Sequence, residues 1–239
     1  MKLLKNLVLL FCFFNVISFA QTITPEEIVK NIKSKAMEVN DYIVDVDANI
    51  NLKALRVPKA KIKVYFKQPD KFYYDTENSA ILPKSGFNVN LSNLIDDTFD
   101  MKIVKEETLD NTQVYMLGLL PKYKDKDTEE LYTKTYMWVD KKNWVIKKMF
   151  NETSNMLKMT IDFSYLYFDN KYYMPSLVKY NIEPLSAAEG DNLINSNQQW
   201  QKRERKRGFM GEGEITLTLK NYIINSNFSD DIFKKKDEK

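Results

Sequence analysis

The apolar residues of this chain recur first at the spacing of a helix and then at the spacing of strands. Thr24, Pro25 and Glu27 form a helix-capping sequence, because Thr accepts from free amides, Pro suits the first turn and Glu reaches back to the cap. The residues that follow at helical spacing are Ile28, Val29, Ile32, Ala36 and Val39. This pattern predicts an amphipathic helix over residues 24–40.

From Tyr42 the period becomes two, which predicts a long strand with one apolar and one polar face. The apolar face holds Tyr42, Val44, Val46, Ala48, Ile50 and Leu52. The polar face holds Asp45, Asp47, Asn49, Asn51 and Lys53. The same alternation continues through Ile62, Val64 and Phe66, and it resumes at Phe72 after a Pro-Asp turn.

Further alternating segments predict the rest of a sheet. They cover residues 101–108, 113–119, 132–140, 144–150, 158–168, 172–182 and 215–224. Turn residues at 110–111, 140–143 and 169–170 join successive segments, so most connections are predicted to be hairpins. The sheet is therefore predicted to be antiparallel.

Two segments interrupt the alternation. Residues 82–97 contain Pro83, Gly86 and spaced leucines, and they predict a loop and a short helix that cover one end of the sheet. Residues 185–212 are polar and predict a mobile loop, which includes the basic run 202–207. Because no Pro/Gly/Ser-rich linker divides the chain, we expect one domain over residues 21–239.

The N-terminus predicts export. Lys2 and Lys5 precede an apolar run over residues 7–14, and a small-x-small tripeptide ends at Ala20. The run is shorter than the roughly 20 residues that a membrane-spanning helix needs. Residues 1–20 are therefore predicted to be a signal peptide cleaved after Ala20. The single cysteine, Cys12, lies within this segment and is preceded by Phe11, which does not suit lipid attachment.

Composition argues against most familiar catalytic and nucleic-acid chemistry. Among 239 residues there is no histidine, which excludes Ser-His-Asp and Cys-His catalysis and His-ligated metals. The chain carries 36 Lys and Arg against 33 Asp and Glu, and the predicted cleavage removes two lysines, so the mature chain is nearly neutral and is no polybasic nucleic-acid binder. The basic run 202–207 could still attract anionic lipid or an acidic partner. The sequence predicts no cofactor and no metal site.

One pair of acids is a candidate for catalysis. Asp45 and Asp47 share the polar face of the first strand, where two carboxylates could act as acid and base. Alternating strands routinely place acids toward solvent, however, and a solvated strand face is the preferred interpretation. The chain is therefore predicted not to be an enzyme.

The order of elements resembles the periplasmic outer-membrane lipoprotein-carrier (LolA-like) superfamily. The matching motifs are Lys67-Gln68-Pro69-Asp70-Lys71-Phe72, the hairpin over residues 137–148, the hairpin over residues 163–175 and the ending over residues 225–233. The resemblance implies a mainly β, α+β fold: an antiparallel incomplete β-barrel, or half-barrel, with an N-terminal helix and a short helix or loop covering it. It also implies a periplasmic location and an apolar concave face that takes acyl chains. Family carriers hold an Arg directly before the strand-ending Pro, where it helps to lock the lid, and Gln68 stands at that position in this chain.

From these observations we expect a periplasmic carrier of lipid or lipoprotein acyl chains, of the outer-membrane lipoprotein-sorting type. The predicted cavity-lining residues are Val44, Val46, Ala48, Ile50, Ile62, Val64 and Phe66 from the strands, with Ile28 and Ile32 from the helix. The alternative is an envelope sensor or adaptor of the same fold that binds a protein partner, such as an envelope membrane protein. A hydrolase using Asp45 and Asp47 is the third interpretation.

Overall fold

A computed structural model describes residues 23–53, 55–56, 59–76, 99–122, 134–153, 157–184 and 212–234. In chain order the elements are α1 (Pro25–Ala36), β1 (Asp41–Leu52), β2 (Leu55–Arg56), β3 (Ala60–Lys67), β4 (Lys71–Thr76), β5 (Phe99–Leu109), β6 (Thr112–Pro121), β7 (Lys134–Asp140), β8 (Ile146–Thr153), β9 (Leu157–Phe168), β10 (Tyr172–Pro184), β11 (Gly213–Ile224) and α2 (Asp231–Lys234). The predicted signal peptide 1–20, the covering segment 82–97, the basic run 202–207 and all but the last residue of the predicted loop 185–212 lie outside the described residues. None of the described helices has the length and apolar character needed to cross a membrane.

The described strands form one open antiparallel sheet, as predicted. Its order is β4-β3-β1-β11-β10-β9-β8-β7-β6-β5, and the short β2 pairs with β1 beside this path. Helix α1 contacts β5 at one end of the sheet, while its buried residues Ile28 and Ile32 belong to the same core cluster as buried residues of β1 and β3 near the other end. The helix therefore lies inside a sheet that curls around it, and the predicted incomplete barrel with an N-terminal helix is confirmed.

Helix α1 begins as the sequence predicts and ends earlier. The Glu27 amide donates to Thr24 Oγ1 at 3.2 Å, and Glu27 Oε2 accepts from the Thr24 amide at 3.0 Å, which completes a capping box. The helix ends at Ala36 rather than near residue 40, because Met37 caps it and the Val39 amide turns back to the Ala36 carbonyl at 3.4 Å. The tightened last turn lets β1 start at Asp41.

The predicted hairpin turns have the backbone geometry that their residues favour. Asp110 and Asn111 have φ angles of 47° and 60°, and Asp169 and Asn170 have φ angles of 51° and 50°. Asp and Asn tolerate this left-handed region better than most residues, and two successive positive φ angles suit the twist of a tight antiparallel hairpin. These two turns thus connect β5 to β6 and β9 to β10.

Alternation in β1 separates core from solvent as predicted. Val44, Val46 and Ala48 are buried on the concave side. On the outer face, Asp45 lies 3.1 Å from Lys63 Nζ on β3, and Asp47 pairs with Lys220 on β11. These cross-strand ion pairs are solvent-exposed, so their main effect is to keep the strand register rather than to add much stability.

A buried carboxylate fixes the segment that follows β11. Asp41 is fully buried, and its oxygens accept from the Ser226 amide at 2.8 Å, the Ser226 hydroxyl at 3.1 Å and the Asn227 amide at 3.0 Å. Beyond it, Lys67 donates to the Phe228 carbonyl at 3.0 Å and to Asp230 at 2.6 Å. The C-terminal segment, residues 225–234, is thereby held against the β1, β3 and β4 side of the barrel.

We expect docking of the C-terminal segment to weaken in acid through Asp230. Hydrogen bonds from Lys67 and Lys71 lower the pKa of Asp230 from 3.8 to about 2. Because the folded pKa lies below the unfolded one, the stabilising contribution is complete above about pH 4 and is lost as the pH falls toward 2. A carbon NMR titration of the Asp230 carboxyl checks this pKa.

The paired variant Lys67→Met/Lys71→Met removes both donors and serves as the reference. In that variant the Asp230 pKa should return toward 3.8. An unperturbed Asp230 pKa in the unmodified protein would contradict the assignment of these ion pairs.

Candidate functional site

A cavity of about 130 Å³ lies where the C-terminal end of α1 faces the first residues of β1 and β10. Its wall is mostly apolar and aromatic. The lining residues are Ile32, Lys35, Ala36, Glu38, Val39, Tyr42, Phe66, Gln68, Phe72, Trp144, Val145, Tyr165, Tyr172, Tyr173, Met174, Pro175, Leu219 and Tyr222. An apolar pocket with a few polar groups at its wall is typical of a small-molecule binding site.

Two of the nine predicted cavity residues line this cavity, namely Ile32 and Phe66. The other seven, all buried in the core on the same side of the sheet, are Ile28, Val44, Val46, Ala48, Ile50, Ile62 and Val64. They share that core with Ile32 of helix α1, and Ile28 has no exposed surface at all. The part of these seven residues in ligand binding stays a prediction.

The hairpin over residues 140–145 brings Trp144 to the cavity wall. The buried carboxylate of Asp140 accepts from the amides of Lys142 at 2.7 Å and Asn143 at 3.0 Å, and from the Asn143 side chain at 2.8 Å. Trp144 then adopts a φ of 54°, an uncommon conformation for a bulky residue, and its ring stacks on Tyr115 with centroids 6.3 Å apart. The Asp-Lys-Lys-Asn-Trp sequence thus has a structural purpose, which is to form this turn and aim the indole.

Aromatic rings build two neighbouring parts of the wall. On the β1, β3 and β11 side, Tyr42 lies 4.9 Å from Phe66 and 5.7 Å from Tyr222, measured between ring centroids. On the β9 and β10 side, Tyr165 and Tyr173 lie 5.2 Å apart. Burial raises the pKa of Tyr42, Tyr165 and Tyr222, so these phenols remain neutral at physiological pH. The wall is therefore uncharged along these rings.

Gln68 ties the end of α1 to the sheet beside the cavity. Its side-chain amide donates to the Val39 carbonyl at 3.1 Å and to the Ala36 carbonyl at 3.4 Å. The Gln68 backbone amide also donates to the Asn40 carbonyl at 2.8 Å. Gln68 occupies the position where the resemblance places an Arg, and it holds the chain leaving the helix by neutral hydrogen bonds.

Asp45 and Asp47, the acid pair of the third interpretation, lie on the outer face of β1 and do not line this cavity. The Asn221 side chain donates to Asp45 at 3.0 Å, and this bond and one from Lys63 lower the pKa of the Asp45 carboxyl. A general acid needs the opposite shift, and the arrangement is that of an ion-pair ladder. Among the described residues, no group of three or more potential ligands is placed to hold a metal ion.

Sequence reasoning missed most of the cavity's aromatic wall. Trp144, Tyr172, Tyr173 and Tyr222 each lie at or next to a turn or strand end, where alternation is weakest. A usable signal was the concentration of aromatic residues around the 140–144 and 168–173 turns, since these two hairpin ends lie on adjacent strand pairs.

Comparison with solved structures shows what fold this is. No protein family and no curated protein matches the chain. A DUF1329 family protein from Desulfovibrio piger matches with a TM-score of 0.57 and 17% identity, over 89% of this chain and 98% of that protein. A domain described as an outer membrane lipoprotein-sorting protein, from Vibrio parahaemolyticus, matches with a TM-score of 0.49 and 13% identity, over 88% of this chain and 97% of that domain. A LolA superfamily protein from Nitrosomonas europaea matches with a TM-score of 0.48 and 10% identity, over 89% of this chain and 98% of that protein.

The likeness to the Desulfovibrio piger protein covers nearly the whole of both chains, and at 17% identity it concerns the fold alone. One antiparallel sheet curled around an N-terminal helix is also the architecture that the sequence motifs imply. The architecture that the sequence motifs imply is therefore confirmed at the level of fold.

Proposed function

We propose that this protein is an exported, periplasmic carrier that binds lipid or lipoprotein acyl chains in its half-barrel. The observation that carries the proposal is the apolar, aromatic cavity between α1 and the sheet. Export is supported by Lys2, Lys5, the apolar run and Ala20. No catalytic group is required, because burial of alkyl surface supplies about 0.8 kcal/mol per methylene.

The size of the cavity sets how a chain enters. A void of about 130 Å³ is close to the roughly 150 Å³ cavity that holds one benzene, so it accepts a short alkyl segment. A longer acyl chain needs the end of α1 to move outward. The contacts that resist this movement on the Gln68 side include two neutral side-chain hydrogen bonds, each of which contributes on the order of 1 kcal/mol. Burial of a few methylene groups of the acyl chain offsets that cost.

Filling the cavity should abolish binding without damaging the fold. Ala36 lines the cavity from the last turn of α1, so Ala36→Phe places a ring in the space that the acyl chain occupies. We expect affinity for a fluorescent acyl probe to fall at least tenfold, while the melting temperature is unchanged or higher because apolar surface is buried. Probe titration and thermal melting measure the two effects.

Ser34→Phe is the matched control, because Ser34 lies on the exposed side of the same helix. It should bind the probe as the unmodified protein does. Equal binding by Ala36→Phe and the unmodified protein would remove the cavity as the acyl site.

The sensor or adaptor alternative also has an observation in its favour. Met37 is 68% exposed directly after the helix, and Tyr167 is 57% exposed beside Tyr173, so apolar side chains flank the cavity on the outside. Such side chains suit contact with a protein partner. Native mass spectrometry of protein purified from an envelope fraction separates the two functions: a carrier co-purifies with lipid, and an adaptor is empty and binds a protein.

A further inference from the structure

Five tyrosines line the cavity, and three of their hydroxyls are already committed to protein partners. Tyr165 donates to the Ile146 carbonyl at 2.8 Å, and Tyr222 donates to the Pro175 carbonyl at 2.8 Å. The Tyr172 hydroxyl accepts from the Asn225 side chain at 3.0 Å. Tyr165 and Tyr222 therefore donate their protons to the protein and not to a ligand, while the Tyr172 hydroxyl is held in place by Asn225.

Among the described residues, the other two hydroxyls, those of Tyr42 and Tyr173, have no such partner. Neither hydroxyl forms a hydrogen bond within the part of the chain that the structure describes. No buried side-chain oxygen or nitrogen of the described residues is left without a partner, so these two hydroxyls must face accessible space. The cavity is the space that both side chains line.

Tyr42 and Tyr173 reach the same cavity from two neighbouring parts of its wall. Tyr42 stands on β1 and Tyr173 on β10, and β11 lies between those strands. The Tyr222 ring of β11 stands 5.7 Å from Tyr42, and the Tyr165 ring stands 5.2 Å from Tyr173. Burial raises the pKa of both Tyr42 and Tyr173, so each keeps its proton and acts as a neutral donor.

Charge in the wall decides which acceptor these donors would meet. Lys35 is the one cation among the described lining residues, and it is already paired with Glu38 at 2.8 Å. A free carboxylate would therefore enter an apolar wall without an available cation, which is costly. A neutral carbonyl oxygen needs only hydrogen-bond donors, which Tyr42 and Tyr173 supply.

We propose that Tyr42 and Tyr173 donate hydrogen bonds to the carbonyl oxygen of an esterified or amide-linked acyl group, so that the cavity selects acyl chains in neutral linkage over free fatty acids and bare alkyl chains. This inference rests on the proposed acyl-binding function. It assigns the two hydroxyls to ligand specificity and leaves the affinity for the alkyl part to the aromatic and aliphatic wall.

The test uses three probes that share an eight-carbon chain: methyl octanoate, 1-methoxyoctane, which lacks the carbonyl oxygen, and octanoate at pH 7.5. Each displaces a fluorescent acyl probe from the full mature chain. The unmodified protein should bind methyl octanoate more tightly than either analogue. Tyr42→Phe and Tyr173→Phe should each weaken the binding of methyl octanoate about three- to tenfold, which is the contribution of one neutral hydrogen bond. The affinity for 1-methoxyoctane should be unchanged.

Tyr65→Phe is the matched control, because Tyr65 lies on the outer face of β3, where its ring contacts Phe228. It should bind all three probes as the unmodified protein does. Equal affinity for methyl octanoate and 1-methoxyoctane, unaltered in both cavity variants, would overturn the carbonyl assignment while leaving acyl binding intact. Failure of every probe to bind would instead overturn the proposed carrier function and the inference with it.

Discussion

Replacing Asp41 by alanine should lower the free energy of unfolding by about 2–4 kcal/mol, since it removes three hydrogen bonds to a buried carboxylate. The lost bonds come from the Ser226 amide, the Ser226 hydroxyl and the Asn227 amide, at 2.8, 3.1 and 3.0 Å. Release of the C-terminal segment should accompany the loss of stability. Urea unfolding at pH 7, together with protease sensitivity of the C-terminal segment, measures both effects.

Asp47→Ala is the control for removal of a carboxylate from the same strand. Asp47 is an exposed partner of Lys220, and exposed ion pairs contribute between about 0 and 1 kcal/mol. A similar small change for both variants would mean that the buried carboxylate does not fix the C-terminal segment.

Introducing a charge at Val46 should have a still larger effect. Val46 is buried in the core that also holds Ile28 and Ile32, so Val46→Asp places an unpaired carboxylate among apolar side chains. We expect the free energy of unfolding to fall by about 4 kcal/mol or more, and acyl binding to be lost together with cooperative folding. Circular dichroism during thermal melting provides the measurement.

Asn49→Asp places the same carboxylate on the exposed, opposite face of β1. Its free energy of unfolding should change by no more than about 0.5 kcal/mol, as for ordinary surface substitutions, so its melting should stay close to that of the unmodified protein. If Val46→Asp melted like Asn49→Asp, the concave face of β1 would have to be open to water.

The strands and turns of this protein could be predicted because local rules determine them. Alternation in β1 identifies Val44, Val46 and Ala48 as inward-facing, since side chains alternate across any strand. The Asp-Asn turns at 110–111 and 169–170 follow from the tolerance of these residues for positive φ. Neither inference needs information about distant parts of the chain.

The cavity could not be predicted in the same way. Alternation shows that Val46 and Val64 face inward, but whether space is left beside them depends on side chains from α1 and from strands far along the chain. The space remains nearer the start of β1, where Tyr42 meets Tyr222 and the end of α1. Likewise, burial of Asp41 depends on amides 185 and 186 positions later, which no local pattern reveals.

The place of β1 in the sheet determines when the protein can fold during its synthesis. β1 is hydrogen-bonded to β3 on one side and to β11 on the other, and its residue Tyr42 pairs with Ile224. Pairing across so large a sequence separation is slow and must wait for nearly the whole chain. If the chain is exported from its N-terminus first, as the proposed function requires, its first strand crosses the membrane long before that strand's last partner, and the sheet can close only when translocation is almost complete.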